Sequence, residues 1–217
     1  MNRKTVKAVF AKSKNAPDPA AAESGGFTLV ELLVAMAIAS ILLAAVVSLF
    51  MSLNKSYTRQ NAAADAQQVV RAGVDYMAQS IRLAGLDPDQ TGGFGITLAT
   101  DTSITFAADL NLSGNSPETG ETITYSLSGD ELRSSLGAVP LVENVDNSNG
   151  PGLTFTYLDS DGNPLATPLS ILNPADLPAL QSIRTVQIAL TVREPAGRDK
   201  EVVRTYATEV RCRNLGL

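Results

Sequence analysis

The chain changes its hydrophobic code twice. From Leu32 to Leu53 there is no charged side chain at all. That run is about 22 residues, or roughly 33 Å as helix at ~1.5 Å per residue, enough to span a hydrocarbon core. From Asn54 onward the residues turn polar without a break. Val70, Val74, Met77 and Ile81 then fall at i, i+4, i+7 and i+11, one apolar stripe at helical period. Arg71 and Asp75 stand at i, i+4 on another face. No proline lies between Phe27 and Asp87, and Gly73 is the only glycine there before Gly85. The pattern predicts one helix from about Phe27 to about Ala84, stopped by Gly85 and Asp87-Pro88.

After Gly93 the period becomes two. Ile104, Phe106, Ala108, Leu110 and Leu112 alternate with Thr105, Ala107, Asp109 and Asn111. Ile123, Tyr125 and Leu127 alternate with threonine and serine, and Gly129-Asp130 separates them from Glu131–Leu136, a hairpin signal. Leu153, Phe155 and Tyr157 precede the turn cluster Ser160-Asp161-Gly162-Asn163. Val186, Ile188, Leu190 and Val192 lead through Glu194-Pro195-Ala196-Gly197-Arg198 into Val202–Val210. Asn144–Gly152 and Pro164–Pro178 read as loops. The expected class is α+β: a long N-terminal helix whose second half packs on an antiparallel β-sheet. The organisation is then a polar leader, 1–26; a transmembrane half-helix, 27–53; an amphipathic half, 54–85; and a β-rich domain, 86–217.

Charge adds an orientation. Residues 1–26 carry five basic side chains (Arg3, Lys4, Lys7, Lys12, Lys14) against two acidic ones, a net of +3. Residues 27–217 carry 12 basic and 20 acidic, a net of −8. A basic flank before an apolar span keeps the leader in the cytoplasm. The acidic remainder excludes a nucleic-acid surface built on clustered Lys and Arg. There is no histidine, which removes the usual base of a hydrolytic triad and the commonest metal ligand. No glycine motif for phosphate is present. Asp159-Ser160-Asp161-Gly162-Asn163 has a calcium-loop look, but Gly162 comes too early and no Glu follows at the twelfth position, so a hairpin turn is expected. Cys212 is the only cysteine. It permits no intrachain disulfide and reads as a small buried apolar residue. No catalytic residue, cofactor, metal or small-molecule substrate is expected, and the chain is not read as an enzyme.

Three readings compete for the apolar run. A cleaved secretory signal has a shorter core and a small-residue site after it. A plain signal anchor fits the length and the charge bias. Neither explains Glu31 at the mouth of the run, where a carboxylate is costly in lipid, nor Gly25-Gly26 ahead of it.

The string from Gly25-Gly26-Phe27-Thr28-Leu29-Val30-Glu31 to Phe50 resembles the class III prepilin signal of type IV pilins and type II secretion pseudopilins. The resemblance implies cleavage by prepilin peptidase between Gly26 and Phe27, followed by N-methylation of Phe27. Glu31 becomes the fifth mature residue, and its implied role is to pair with the Phe27 amine of a neighbouring subunit, setting register in assembly. Gln67–Met77, running to Ile81-Arg82-Leu83-Ala84-Gly85-Leu86-Asp87-Pro88, and the closing Val210-Arg211-Cys212-Arg213-Asn214 are similar to minor pilins of the PilW type. The implied function is a minor pilin of a type IV pilus, in a tip or assembly-initiating complex. Its partners would be prepilin peptidase, the major pilin and other minor pilins. It would sit in the inner membrane as a single pass, with its domain in the periplasm, and then in the extracellular pilus. A J-type minor pseudopilin of a type II secretion system and a tethered binding module that never polymerises remain the alternatives.

Overall fold

The structure is a computed structural model that describes residues 26–197 and 200–216. Most of the expected leader, with Gly25 and its basic residues, lies outside them, as does Arg198 in the expected turn. The chain divides into two compact units, one ending at Phe50 and one beginning at Met51.

Helix α1 runs from Leu29 to Ile81, 53 residues. The portion up to Phe50 is exposed at every position. In the second unit the predicted stripe is the buried face: Ala66, Val70, Val74, Met77 and Ile81 are fully buried. The Arg71–Asp75 pair forms on the exposed side at 3.5 Å. Regular helix stops three residues earlier than the periodicity suggests. Leu83 N–H donates to the Ser80 carbonyl and Ala84 N–H to that of Ile81, both at 3.0 Å, a tighter i→i+3 winding. Gly85 ends the turn at φ +79°, and a Cβ there would stand 2.6 Å from Leu215 Cδ2. Only glycine gives both the left-handed conformation and this approach of the C-terminus.

The strands are β1 (Gly95–Ala99), β2 (Ser103–Ala107), β3 (Thr122–Ser128), β4 (Glu131–Ser134), β5 (Leu153–Leu158), β6 (Leu169–Ser170), β7 (Thr185–Pro195) and β8 (Glu201–Arg211), with a short helix α2 (Leu177–Ser182) before β7. They form two antiparallel sheets, not the single one expected. One has the order β4-β3-β2-β1-β6, the other β5-β7-β8. The architecture is a long N-terminal helix packed on antiparallel sheets, an α+β fold.

Two expectations need correction. The alternation over Ile104–Leu112 is strand only as far as Ala107. Beyond it Asp109 is fully buried while Leu110 and Leu112 are exposed, and Leu112 has a positive φ. The Asp109 carboxylate accepts the N–H groups of Ser113 (3.1 Å) and Gly114 (3.2 Å), which turns the chain where alternation would continue it. Pro164–Pro178 is not all loop. It holds β6, paired to β1 through Leu169–Ala99, and the start of α2, with Pro178 in its first turn, where a missing N–H costs nothing.

The core is continuous between the sheets and the helix. Tyr125 on β3 packs edge-on to Tyr76, and its hydroxyl lies 2.6 Å from that of Ser80. Tyr157 on β5 is fully buried and donates to the carbonyls of Thr100 (3.0 Å) and Ser103 (3.1 Å), tying the second sheet to the β1–β2 turn. Burial raises its phenol well above the ordinary range.

Candidate functional site

Gly26, Phe27 and Thr28 precede the helix without regular structure. Thr28 then starts it. Its hydroxyl accepts the Glu31 N–H at 3.2 Å, satisfying one of the donors a helix start leaves open. Thr28-Leu29-Val30-Glu31 is thus half of a capping box, a signal legible in the sequence as Thr-x-x-Glu. Glu31 lies in the first turn, at the positive end of the helix dipole, and is exposed. Among the described residues it makes no ion pair. The structure therefore places Gly26, Phe27 and Glu31 within one short stretch, and it adds Thr28 as the residue that fixes where the helix begins.

From Leu32 to Phe50 the helix is an unpartnered apolar cylinder. Its side chains remain open to solvent, as do those at its mouth, with Phe27 81%, Leu29 75% and Phe50 69% exposed. A helix apolar on all sides over this length suits lipid or packing among other helices. The hydroxyl of Ser40 suits such surroundings, donating to the Ala37 carbonyl at 2.8 Å, inside its own helix. Thr58 does the same with Asn54 at 3.0 Å, just beyond the uncharged run.

Among the described residues no group of three His, Cys, Asp or Glu converges to hold a metal. Buried acids serve the loops. Glu121 accepts the Glu118 N–H at 2.8 Å, and Asp146 accepts the Ser148 hydroxyl (2.6 Å) and N–H (3.1 Å), bonds that hold the Asp146 carboxyl below its usual value. Asp159 accepts the N–H groups of Asn163 (2.8 Å) and Asp161 (2.9 Å), and Leu158 bridges to Pro164, so this segment is the expected turn. The Asn163 N–H is the main cause of its lowered pKa. Cys212 is buried. Its Sγ lies 3.7 Å from the Ile81 carbonyl, and burial pushes the thiol up to about 12.

The model of the prokaryotic N-terminal methylation motif matches residues 23–47. Among solved structures, the chain is similar to a type IV-like pilin from Thermus thermophilus at 14% identity and a TM-score of 0.41, over 70% of this chain and 98% of that one. No curated protein matches. The chain is thus type IV pilin-like at its N-terminus. Its signal implies processing by a prepilin peptidase and assembly with other pilins. The apolar helix and the motif are consistent with a membrane anchor.

Proposed function

We propose that this chain is a minor pilin of the PilW type, cut after Gly26, methylated on Phe27 and incorporated into a type IV pilus near its tip or in the complex that starts assembly. One observation carries the reading: the methylation motif sits where a capped, fully exposed apolar helix begins, with one carboxylate in its first turn. In lipid an unpaired charge costs several kcal/mol, so Glu31 needs a cationic partner there. The amine released on Phe27 of a neighbouring subunit is such a partner, four residues back on an identical mouth. The apolar half-helix then serves first as the inner-membrane anchor and later as filament core. The folded domain, with its polar loops, occupies the periplasm and afterwards the pilus surface.

Coexpression with a prepilin peptidase tests the reading. A chain beginning at N-methyl-Phe27 is expected, and replacing Gly26 with Leu should leave the leader attached. Mass spectrometry showing a cut near Ser48 or Leu53 would make the run an ordinary secretory signal.

A further inference from the structure

We propose that the outer edge of β8 pairs with the β8 of a second copy of this chain, antiparallel and centred on Tyr206. β8 is 11 residues long and ends its sheet, and among the described residues no element covers its outer side. Its register with β7 is unbroken from Thr185–Arg211 to Pro195–Glu201, with no bulge. An edge this long and regular lacks the usual devices against pairing; its charges are the one guard left.

The ladder tells which backbone groups are free. Cys212 N–H donates to the Arg184 carbonyl at 2.8 Å, and Ala196 N–H to that of Lys200 at 2.7 Å. Both pairs continue the β7–β8 register, an even number of residues apart. Hydrogen-bonded pairs alternate with open ones in an antiparallel ladder, so the even-numbered residues of β8 bond to β7. Pro195, which has no N–H, falls in an open pair with Glu201, as that phase requires. Glu201, Val203, Thr205, Ala207, Glu209 and Arg211 therefore aim their N–H and C=O groups outward. Val203 O has only the Arg204 guanidinium of its own strand, at 3.0 Å.

Self-pairing centred on Tyr206 sets outward residues against outward residues along the whole strand. Glu201 meets Arg211 of the second copy at both ends, Val203 meets Glu209, and Thr205 meets Ala207. Glu201 and Arg211 lie on the same face, and both are exposed. Neither makes an ion pair among the described residues. A slip of two residues one way puts Glu201 against Glu209 twice. The other way leaves Arg211 against Val203. A slip of one residue turns the faces over and mismatches the free groups. Charge and hydrogen-bond phase thus select one register and one occupant, a second copy in an isologous, two-fold contact.

That axis stands normal to the sheet. α1 packs on the core side of β7, where Gly73 approaches Leu190, so residues 62–81 of the two copies run in opposite directions.

The test uses the full chain in detergent. Thr205→Cys and Ala207→Cys proteins are oxidised separately and mixed. Paired residues stand ~5.5 Å apart between Cα atoms, within disulfide reach, whereas 205–205 and 207–207 pairs exceed ~7 Å. The mixture should give a 205–207 disulfide dimer, located by peptide mapping, at least about fivefold above either protein alone. In a second arm, Glu201→Arg and Arg211→Glu should each weaken dimerisation at least about tenfold, since like charges then face each other, and the double swap should restore it. A chain that stays monomeric at all concentrations, a mixture that links no better than its parts, or a swap without rescue would overturn the proposal.

Discussion

Gly73 offers a prediction whose sign depends on its neighbour. It sits on the buried face of α1, and a Cβ built there would stand 2.5 Å from Val142 Cγ2 and 3.4 Å from Leu190 Cδ2. Val142 cannot easily give way. It is 3% exposed, β-branched, and held through its backbone to Leu132 by bonds of 2.8 and 3.3 Å. Gly73→Ala gains ~1 kcal/mol of helix propensity but adds a methyl to a filled space, which costs ~1–3 kcal/mol. A net loss of about 1 kcal/mol is expected. Val142→Ala removes the obstructing methyls and by itself costs ~1.5 kcal/mol or more in lost burial and cavity. In that background Gly73→Ala meets no obstruction, keeps its propensity gain, and should stabilise by about 1 kcal/mol. The coupling is then ~2 kcal/mol, in the range for residues in contact. Urea unfolding followed by circular dichroism, on the parent and the three variants of a chain beginning at Lys55, measures it. If Gly73→Ala has the same sign and size in both backgrounds, the close approach of helix and Val142 does not govern the site.

That shortened chain is itself a prediction: the apolar run removed, it should be soluble, monomeric when dilute, mixed helix and sheet by circular dichroism, and indifferent to chelators. A disordered spectrum would show that the domain depends on the excised half-helix. Glu31→Gln keeps the size and the Thr28 cap while removing the charge. Attraction at 4 Å is about 4 kcal/mol at an effective dielectric of ~20, much of it offset by desolvation, so the variant should insert and be cleaved yet copurify poorly with partner pilins. Equal entry into sheared pili would remove the pairing role. Cys212, raised to about 12 by burial, is ~8.5 when unfolded. Its contribution is whole below pH ~8.5 and is lost as pH climbs toward 12, so stability should fall over that window, and less steeply in Cys212→Ala. A thiol reagent that labels the native protein quickly at pH 8 would contradict the burial.

Local pattern sufficed wherever one residue's surroundings are set by near neighbours in the chain. The uncharged run, the stripe Val70–Ile81 and the turns at Gly129-Asp130 and at Asp159–Asn163 are all periodicities or adjacencies, and a helix or hairpin forms on them as written. The Thr28 cap was present in the same way, three residues before Glu31. Tertiary structure decided what depends on distant partners. Leu110 and Leu112 keep the strand alternation, yet Asp109 withdraws into the interior and binds the backbone ahead, so β2 ends at Ala107. The division into two sheets follows from which strands find each other: β5 pairs with β7 across some thirty residues while β6 crosses to β1. Nothing in either segment states that choice, because a strand's face pattern names a side to bury but not a partner. The same is true of Gly73, whose lack of a side chain acquires meaning only when Val142, far along the chain, comes to rest against it.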